Sequence, residues 1–179
     1  MGREDCRGRM TGGPRRVYIG LGSNIGDRGA HLARAIRELQ RRGLLVALRS
    51  SVYRTAPVDV LDQDDFLNQV IGCDTGLPAG AILEICLSVE RDMGRIRTRD
   101  RGPRIIDLDL LLAGDEVLGG DGGLELPHPR MHLRRFVLRP LVEIAPGARH
   151  PVLGLEVAEL LRRCPDRSRV ERLPAAPAP

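Results

Sequence analysis

Apolar and polar residues follow one another along the chain with two spacings, and each spacing predicts one type of element. Short runs rich in β-forming residues predict strands, whereas apolar residues three and four positions apart predict amphipathic helices. Both patterns recur through the first two thirds of the chain. In chain order they predict a strand over 17–22, a helix over 28–42, strands over 44–54 and 66–75, a helix over 78–93 and a strand over 105–113.

The predicted order of elements, β-α-β-β-α-β, is typical of an α+β domain with a ferredoxin-like core. Such a core has a mainly antiparallel sheet, and we expect its helices to cover one face. A C-terminal extension follows, with a hairpin-like piece after residue 114 and helices over 137–145 and 156–161. The glycine-rich segment over 20–26 is predicted to be the turn from the first strand into the first helix, which Asn24 or Asp27 would cap.

The two ends of the chain differ in composition from its middle. Residues 1–15 are rich in Gly and Arg and show no period, so we predict a disordered N-terminal extension there. The length of 179 residues suits a single domain, which we expect over 16–163. Residues 164–179 end in a run of Pro and Ala and are predicted to be a flexible tail.

Composition excludes several classes of protein. All 28 basic residues are Arg, so no catalytic or phosphate-binding lysine of the P-loop, Schiff-base or protein-kinase kind is available. The net charge of +4 resides mainly in the two ends, which is typical of solvated tails rather than of a nucleic-acid surface. No segment reaches the roughly 18 apolar residues of a membrane span, and the four scattered cysteines suit reduced thiols. We therefore expect a cytoplasmic protein that binds neither membranes nor nucleic acid.

The strand over 105–113 carries two acidic residues, Asp107 and Asp109, among apolar ones. Alternate residues of a strand share a face, so both carboxylates point to one side, and the even-numbered residues from Ile106 to Leu112 point to the core. Two carboxylates about 7 Å apart can bind a hard cation such as Mg²⁺. The alternative is a pair of exposed acids on a solvated sheet face.

Arginines are concentrated just before this strand. A guanidinium group binds phosphate oxygens in bidentate fashion, and Arg104 precedes Asp107 by only three residues. Guanidinium groups beside paired carboxylates are typical of a site for a metal-bound polyphosphate. A solvated charged loop is the alternative. The arginines of this segment are Arg91, Arg95, Arg97, Arg99, Arg101 and Arg104.

Two further groups of residues suggest ligand contacts. His128 lies between two prolines, and both it and Arg134 could reach phosphate groups. Phe66 and Phe136 are the only phenylalanines, and two such rings can stack a flat heterocycle between them. Asn68 projects to the same side as Phe66, where its amide could read the donor–acceptor edge of a pterin or a purine. The alternative is two core phenylalanines and a histidine without a role.

Seven motifs follow one another between residues 17 and 154: YIGLGSNIGDR (18–28), SSVYRTAPV (50–58), DFLNQV (65–70), ERDMGRIR (90–97), GPRIIDLDLLL (102–112), LPHPRMHLRRFVLRPLVEIAP (126–146) and HPVLG (150–154). Together they resemble the 6-hydroxymethyl-7,8-dihydropterin pyrophosphokinase family of folate biosynthesis. The resemblance implies that ATP gives its β,γ-pyrophosphate to the hydroxymethyl oxygen of the pterin and that AMP leaves.

The resemblance also implies roles for individual residues. Asp107 and Asp109 would bind two Mg²⁺ ions, Arg95 and Arg104 would assist catalysis, and Glu90 would have a supporting role. The ATP-binding residues implied in this way are Arg95, Arg97, Arg104, His128 and Arg134. The pterin-binding residues are Thr55, Pro57, Val58, Phe66, Asn68 and Phe136.

The chain departs from the family's pattern at three positions. Ala56, Asp59 and Arg101 stand where Pro, Gly and a large aromatic residue are common.

We expect a monomer that acts on small-molecule substrates. Two other functions stay open, namely a ferredoxin-like module that binds RNA or an anionic metabolite, and a metal-dependent nucleotidyltransferase that would release pyrophosphate instead of AMP.

Overall fold

The computed structural model describes residues 14–56, 64–95, 103–119 and 123–174. The strands of this part of the chain are β1 (Arg15–Ser23), β2 (Leu45–Arg49), β3 (Tyr53–Thr55), β4 (Phe66–Thr75), β5 (Asp107–Ala113) and β6 (Val170–Arg172). The helices are α1 (Arg28–Arg41), α2 (Ala79–Asp92), α3 (Arg135–Ile144) and α4 (Val157–Arg163), with a 3-10 turn at Met131–Leu133. The predicted α+β class is confirmed.

The strands form one antiparallel sheet in the order β5-β1-β4-β3-β6, and β2 pairs with β4 beside β3. The prediction of a single strand over 44–54 is wrong, because the chain breaks between β2 and β3. At the break, Ser50 donates its N–H to the carbonyl of Val70, and its hydroxyl accepts the Val70 N–H. A side-chain oxygen therefore replaces a backbone carbonyl at this point, and the ladder is interrupted.

Helices α1 and α2 pack on one face of the sheet through apolar side chains at helical spacing. Leu32 and Leu39 of α1 and Ile82 of α2 are buried against Ile19 and Ile71 of the central strands. Burial of each such side chain stabilises the fold by about 1.5–3 kcal/mol. Helix α1 begins after Asp27, whose Oδ1 accepts the Ala30 N–H at 2.9 Å, so Asp27 is the cap.

A second apolar cluster lies on the opposite face of the sheet, under α3 and α4. Val70 and Leu111 of the sheet contribute to it together with Leu138, Leu141 and Val157 of the two helices. The prediction that the helices of the core cover one face is confirmed for α1 and α2, whereas the helices of the predicted C-terminal extension cover the other face. The alternation of apolar positions along β4 already separates Val70 from its neighbour Ile71, which lies in the first cluster.

Strand β5 contains a bulge that reverses its alternation. Tyr18 of β1 pairs with Leu112 and the next residue, Ile19, pairs with Leu110, so Leu111 has no partner on β1. Leu110 belongs to the first cluster, whereas Leu111 and Leu112 both belong to the second. The prediction that Leu112 shares a face with Leu110 is wrong for this reason.

The segment after residue 164 contains an element that composition did not predict. Strand β6 pairs antiparallel with β3, with Val170 opposite Thr55 and Arg172 opposite Tyr53. The expectation of a flexible tail beginning at residue 164 is therefore wrong for the residues of this strand.

Among the helices of the described residues, none combines the length and apolarity that a bilayer crossing requires.

Candidate active site

The register of the sheet brings the predicted metal and pterin residues to one face. Asp107 on β5 is opposite Gly22 on β1, which is opposite Asn68 on β4, and Asn68 is opposite Tyr53 on β3. Directly opposed residues of antiparallel strands point to the same side. Because neighbouring strands are 4.7–4.9 Å apart, the Asp107 and Asn68 backbones are separated by about 10 Å, with only a glycine between them.

Gly22 therefore forms the surface between Asp107 and Asn68, whereas Gly20 lies in the next row of the sheet, opposite Val70. Gly20 and Gly22 lie inside β1, which confirms the predicted strand over 17–22, and the predicted turn over 20–26 is wrong for these two positions. A Cβ atom at Gly22 would lie 3.1 Å from Oδ1 of Asn68, whereas one at Gly20 would meet the Leu111 side chain at 3.6 Å. The sequence could have indicated this open surface, because glycines two positions apart in an apolar strand leave one face of that strand without side chains.

Asp107 lies between two of the predicted arginines. Arg95 Nη1 is 2.5 Å from one carboxylate oxygen, and Arg104 Nη1 is 2.5 Å from the other. Burial lowers the pKa of Arg95, but the charges of Asp107 and Glu90 outweigh it and raise the pKa above its ordinary value. The structure thus brings Arg95, Arg104 and Asp107 together in one cluster of charges.

Two buried residues hold this cluster in place. Glu90, 3% exposed, accepts the backbone N–H of Leu108 at 2.8 Å and also contacts Arg95. Asn24, 2% exposed, accepts the Arg104 N–H through its side chain at 2.7 Å and donates its own N–H to the Arg104 carbonyl at 3.2 Å. The contact of Asn24 joins residues 80 positions apart, so no local pattern could reveal it.

Asp109 faces a second pair of predicted residues. Its Oδ2 lies 3.9 Å from His128 Nε2 and 4.0 Å from Arg134 Nη1. Desolvation by the surrounding protein, together with the charge of Asp107, raises the pKa of Asp109 to about 6, although part of the side chain remains exposed. Burial, together with Arg134 and Arg130, lowers the pKa of His128 to about 4. His128 is therefore neutral at pH 7.

The backbone determines which nitrogen of His128 carries the proton. Nδ1 accepts the N–H of Arg130 at 3.1 Å, so in the neutral ring the proton is on Nε2, the nitrogen on the Asp109 side. The N–H of His128 itself donates to the carbonyl of Leu111 at 2.9 Å. His128 is therefore a neutral ring that can donate a hydrogen bond from Nε2 to a group bound in the site.

The predicted pterin residues occupy the other end of the same face. Asn68 Nδ2 donates to Thr55 Oγ1 at 2.7 Å, and both residues are buried. Phe66 is two positions before Asn68 on β4, and its ring is partly exposed. Phe136, in the first turn of α3, is also partly exposed, and Arg134 Cζ lies 5.6 Å from the centre of its ring. Pro57, Val58 and Arg97 lie outside the described residues.

The chemistry of the acidic pair fits Mg²⁺. Among the described residues, no group of three or more His, Cys, Asp or Glu side chains is arranged to hold a metal ion. Mg²⁺ is characteristically bound by one or two carboxylates, while substrate phosphates and water complete its coordination. Asp107 and Asp109 on one sheet face supply that number of carboxylates.

Comparisons with known proteins show which family the chain resembles. A family model described as 7,8-dihydro-6-hydroxymethylpterin-pyrophosphokinase (HPPK) matches residues 18–146. A 2-amino-4-hydroxy-6-hydroxymethyldihydropteridine pyrophosphokinase of Methylorubrum extorquens is 47% identical over 160 residues, which cover 88% of this chain and 98% of that protein. A protein of the same name from Pseudomonas aeruginosa is 39% identical over 163 residues, or 90% of this chain and 98% of that protein.

Other similar proteins are longer. The folic acid synthesis protein fol1 of Pneumocystis carinii is 38% identical over 84% of this chain, but the match covers only 20% of that protein. A solved structure of wild-type Plasmodium falciparum HPPK-DHPS with pteroate has a TM-score of 0.65 at 15% identity, covering 84% of this chain and 42% of that one. Another HPPK-DHPS structure, in complex with substrates, has a TM-score of 0.69 at 12% identity and is covered to 43%. These structural likenesses show the fold.

Proposed function

The chain belongs to the 7,8-dihydro-6-hydroxymethylpterin-pyrophosphokinase family, whose members use ATP as co-substrate in folate biosynthesis, and we propose that the sheet face described above carries out this transfer. The observation that supports the proposal most directly is the register of β5, β1 and β4. In this register Asp107 and the buried, partnered Asn68 are on one face, about 10 Å apart across Gly22, and Asp109 is on the same face two residues along β5.

In the proposed reaction, the hydroxymethyl oxygen of the pterin attacks the β-phosphorus of ATP. The bond between that phosphorus and the bridging oxygen of the α-phosphate breaks, so AMP leaves with the bridging oxygen and the hydroxyl proton goes to solvent. Such a transfer requires mainly positioning of the two substrates and neutralisation of charge. The absence of lysine from the sequence leaves both tasks to arginines, carboxylates and bound cations.

Asp107 and Asp109 are the residues that would hold two Mg²⁺ ions. When bound, these ions supply positive charge that neutralises the phosphate oxygens. Arg95 and Arg104 contact the same carboxylate of Asp107, so both guanidinium groups are within reach of phosphates bound beside it. Arg134 would add a third cation near the phosphates, and His128 would donate a hydrogen bond to them from Nε2. The family resemblance adds Arg97 to the ATP-binding residues.

The pterin would lie over the other end of the face. Phe66 and Phe136 would stack on its ring system, while Asn68 and Thr55 would hydrogen bond to its polar edge. The family resemblance adds Pro57 and Val58 to this half. We propose further that the protein acts as a cytoplasmic monomer on these small molecules and does not bind nucleic acid.

One incubation tests the proposed function. The protein is mixed with ATP and Mg²⁺, with and without 6-hydroxymethyl-7,8-dihydropterin, and the nucleotides are resolved chromatographically. We expect AMP that depends on the pterin, no ADP, and loss of the reaction when EDTA removes the metal. Release of free pyrophosphate together with a nucleotidylated pterin would indicate a nucleotidyltransferase instead. Absence of AMP from correctly folded protein would contradict the proposal.

A further inference from the structure

The amide of Asn68 has a fixed orientation on the sheet. Its Nδ2 donates to Thr55 Oγ1 at 2.7 Å, on the side of β3, and both residues are more than nine-tenths buried. Oδ1 therefore faces the other way, towards β1. There it lies 3.1 Å from the point that a Cβ atom at Gly22 would occupy, and Phe66 Cδ1 lies 3.9 Å from the same point.

The space above Gly22 is thus bounded by a hydrogen-bond acceptor and by the edge of an aromatic ring. A flat heterocycle stacked on Phe66 would bring the N–H groups of its edge into this space, where Asn68 Oδ1 can accept them. Asp107 is opposite Gly22 on the next strand, so the same space also joins the pterin half of the site to the phosphate half.

We propose that Gly22 is a specificity-determining residue, because its missing side chain leaves room for Asn68 Oδ1 to accept a hydrogen bond from a heterocycle that carries N–H donors. This inference rests on the proposed function. A methyl group at position 22 would approach Oδ1 more closely than ordinary van der Waals contact, and the bond to Thr55 restricts the movement of the amide. Recognition of the pterin would suffer, whereas the acidic pair would keep its cation and ATP.

Gly20 provides a matched control on the same strand and the same face. A Cβ atom there would meet Leu111 carbon atoms at 3.6 Å, which is ordinary contact. Neither glycine has the positive φ of the left-handed region, so the backbone tolerates alanine at both positions. The two substitutions therefore differ in whether the new methyl group meets the Asn68 amide.

The test compares wild type, Gly22→Ala and Gly20→Ala. The KM for 6-hydroxymethyl-7,8-dihydropterin is measured at saturating Mg-ATP, and the Kd for Mg–α,β-methylene-ATP is measured by calorimetry without pterin. We expect Gly22→Ala to raise the pterin KM about tenfold or more and to leave the nucleotide Kd within about twofold. Gly20→Ala should leave both values within about twofold of wild type. Equal changes in the two variants would overturn the inference.

A double-mutant cycle shows whether Gly22 acts through Asn68. Asn68→Ala alone should raise the pterin KM, and adding Gly22→Ala to it should change the KM by less than about twofold, because the clashing amide is gone. If Gly22→Ala alone fails to fold, the double variant should recover folding, and failure of both would contradict the inference. The wild-type assay separates the two claims. Lack of pterin-dependent AMP from wild type overturns the proposed function and the inference with it, whereas additive effects in an active protein overturn only the inference.

Discussion

Asp107 and Asp109 point to the same side of β5, but their surroundings differ. Two guanidinium groups contact the carboxylate of Asp107 at 2.5 Å each. Asp109 has no cation that close among the described residues, since Arg134 is 4.0 Å away, and its side chain is 40% exposed. At pH 7 the neighbouring His128 is neutral and cannot compensate the charge of Asp109. Asp109 is therefore the carboxylate of the pair that a cation can reach more readily.

Glu143 of α3 forms hydrogen bonds to the sheet and to the segment that precedes β3. Its Oε2 accepts the Ser51 N–H at 3.0 Å and the Tyr53 hydroxyl at 2.8 Å. Its Oε1 accepts the Ser51 hydroxyl at 2.7 Å and lies 3.3 Å from Arg172 Nη2. Burial raises the pKa of Glu143, but these hydrogen bonds outweigh it and lower the pKa below its ordinary value of 4.5. The ionised form is thus the one that the fold stabilises.

We expect Glu143→Gln to lower the free energy of unfolding by about 1–3 kcal/mol at pH 7, because the charged acceptor of four hydrogen bonds is lost. The folded-state pKa is depressed, so the stabilisation is fully present above pH 4.5 and is lost as the pH falls through the folded-state value. Denaturant titrations of both proteins between pH 7 and pH 3 measure the difference, which should shrink at the acidic end.

Glu159→Gln is the control for this prediction. Glu159 also accepts from arginines, but these are Arg162 and Arg163, its neighbours on the solvent-exposed side of helix α4. Such surface pairs contribute little to stability. A loss for Glu159→Gln as large as that for Glu143→Gln, or a loss for Glu143→Gln that does not change with pH, would contradict the assigned role.

The bulge in β5 shows why one element could be only partly predicted. The strand was recognised from its apolar run, and the face of Asp107 and Asp109 follows from simple alternation up to Leu110. Leu110, Leu111 and Leu112 are all apolar, so the pattern offers no sign of the position at which the alternation reverses. Only the pairing with β1 decides that Leu111 and Leu112 both enter the cluster under α3.

Strand β6 was missed for a related reason. It has three residues, Val170–Arg172, and two of them are charged, so it lacks the apolar pattern of a buried strand. Its position depends on partners distant in the chain, such as Arg54 opposite Glu171. Helical periodicity predicted α1 and α2 with nearly the right limits, because each helix buries a regular apolar face. The run of β-forming residues over 66–75 predicted β4.

Deletion of β6 should weaken the pterin half of the site. A chain that ends at Arg169 lacks the partners of Tyr53 and Thr55 but keeps Asp166, which accepts the Arg135 N–H at the start of α3 at 2.9 Å. We expect the unfolding midpoint to fall by roughly 4–10 °C, and we expect the pterin KM to rise. A chain that ends at Pro174 keeps β6 and serves as the control. If the two shortened chains have the same unfolding midpoint and the same KM, β6 has no such role.

The whole molecule divides its functions between the two faces of one sheet. The face under α1 and α2 is filled with apolar side chains such as Ile19, Ile71 and Leu108. The opposite face is apolar only under α3 and α4, and beyond them it carries Asp107, Asn68 and their neighbours. Both apolar clusters stabilise the sheet, and the polar residues of the candidate site lie beside the second cluster.

At the scale of the molecule, the family resemblance predicts which residues form the site, and the structure adds how they are placed relative to one another. The sequence places Asp107 and Asn68 39 positions apart, and nothing local relates them. The shared pairing of β1 with β4 and β5 brings them to the same row of the sheet. The contacts of Gly22 and Asn24 depend on pairing with distant residues, so the local pattern, which predicts a strand over 17–22 and a turn over 20–26, does not reveal them.

The central claim is that this face has a nucleotide half at Asp107 and Asp109 and a pterin half at Asn68. Calorimetric titration of Mg–α,β-methylene-ATP into wild type, Asp109→Asn and Asn68→Ala, without pterin, tests it most directly. We predict that Asp109→Asn weakens the binding about tenfold or more, because a metal ligand is lost, and that Asn68→Ala leaves the Kd within about twofold of wild type. Unchanged nucleotide binding by Asp109→Asn, or equal losses in the two variants, would contradict the claim.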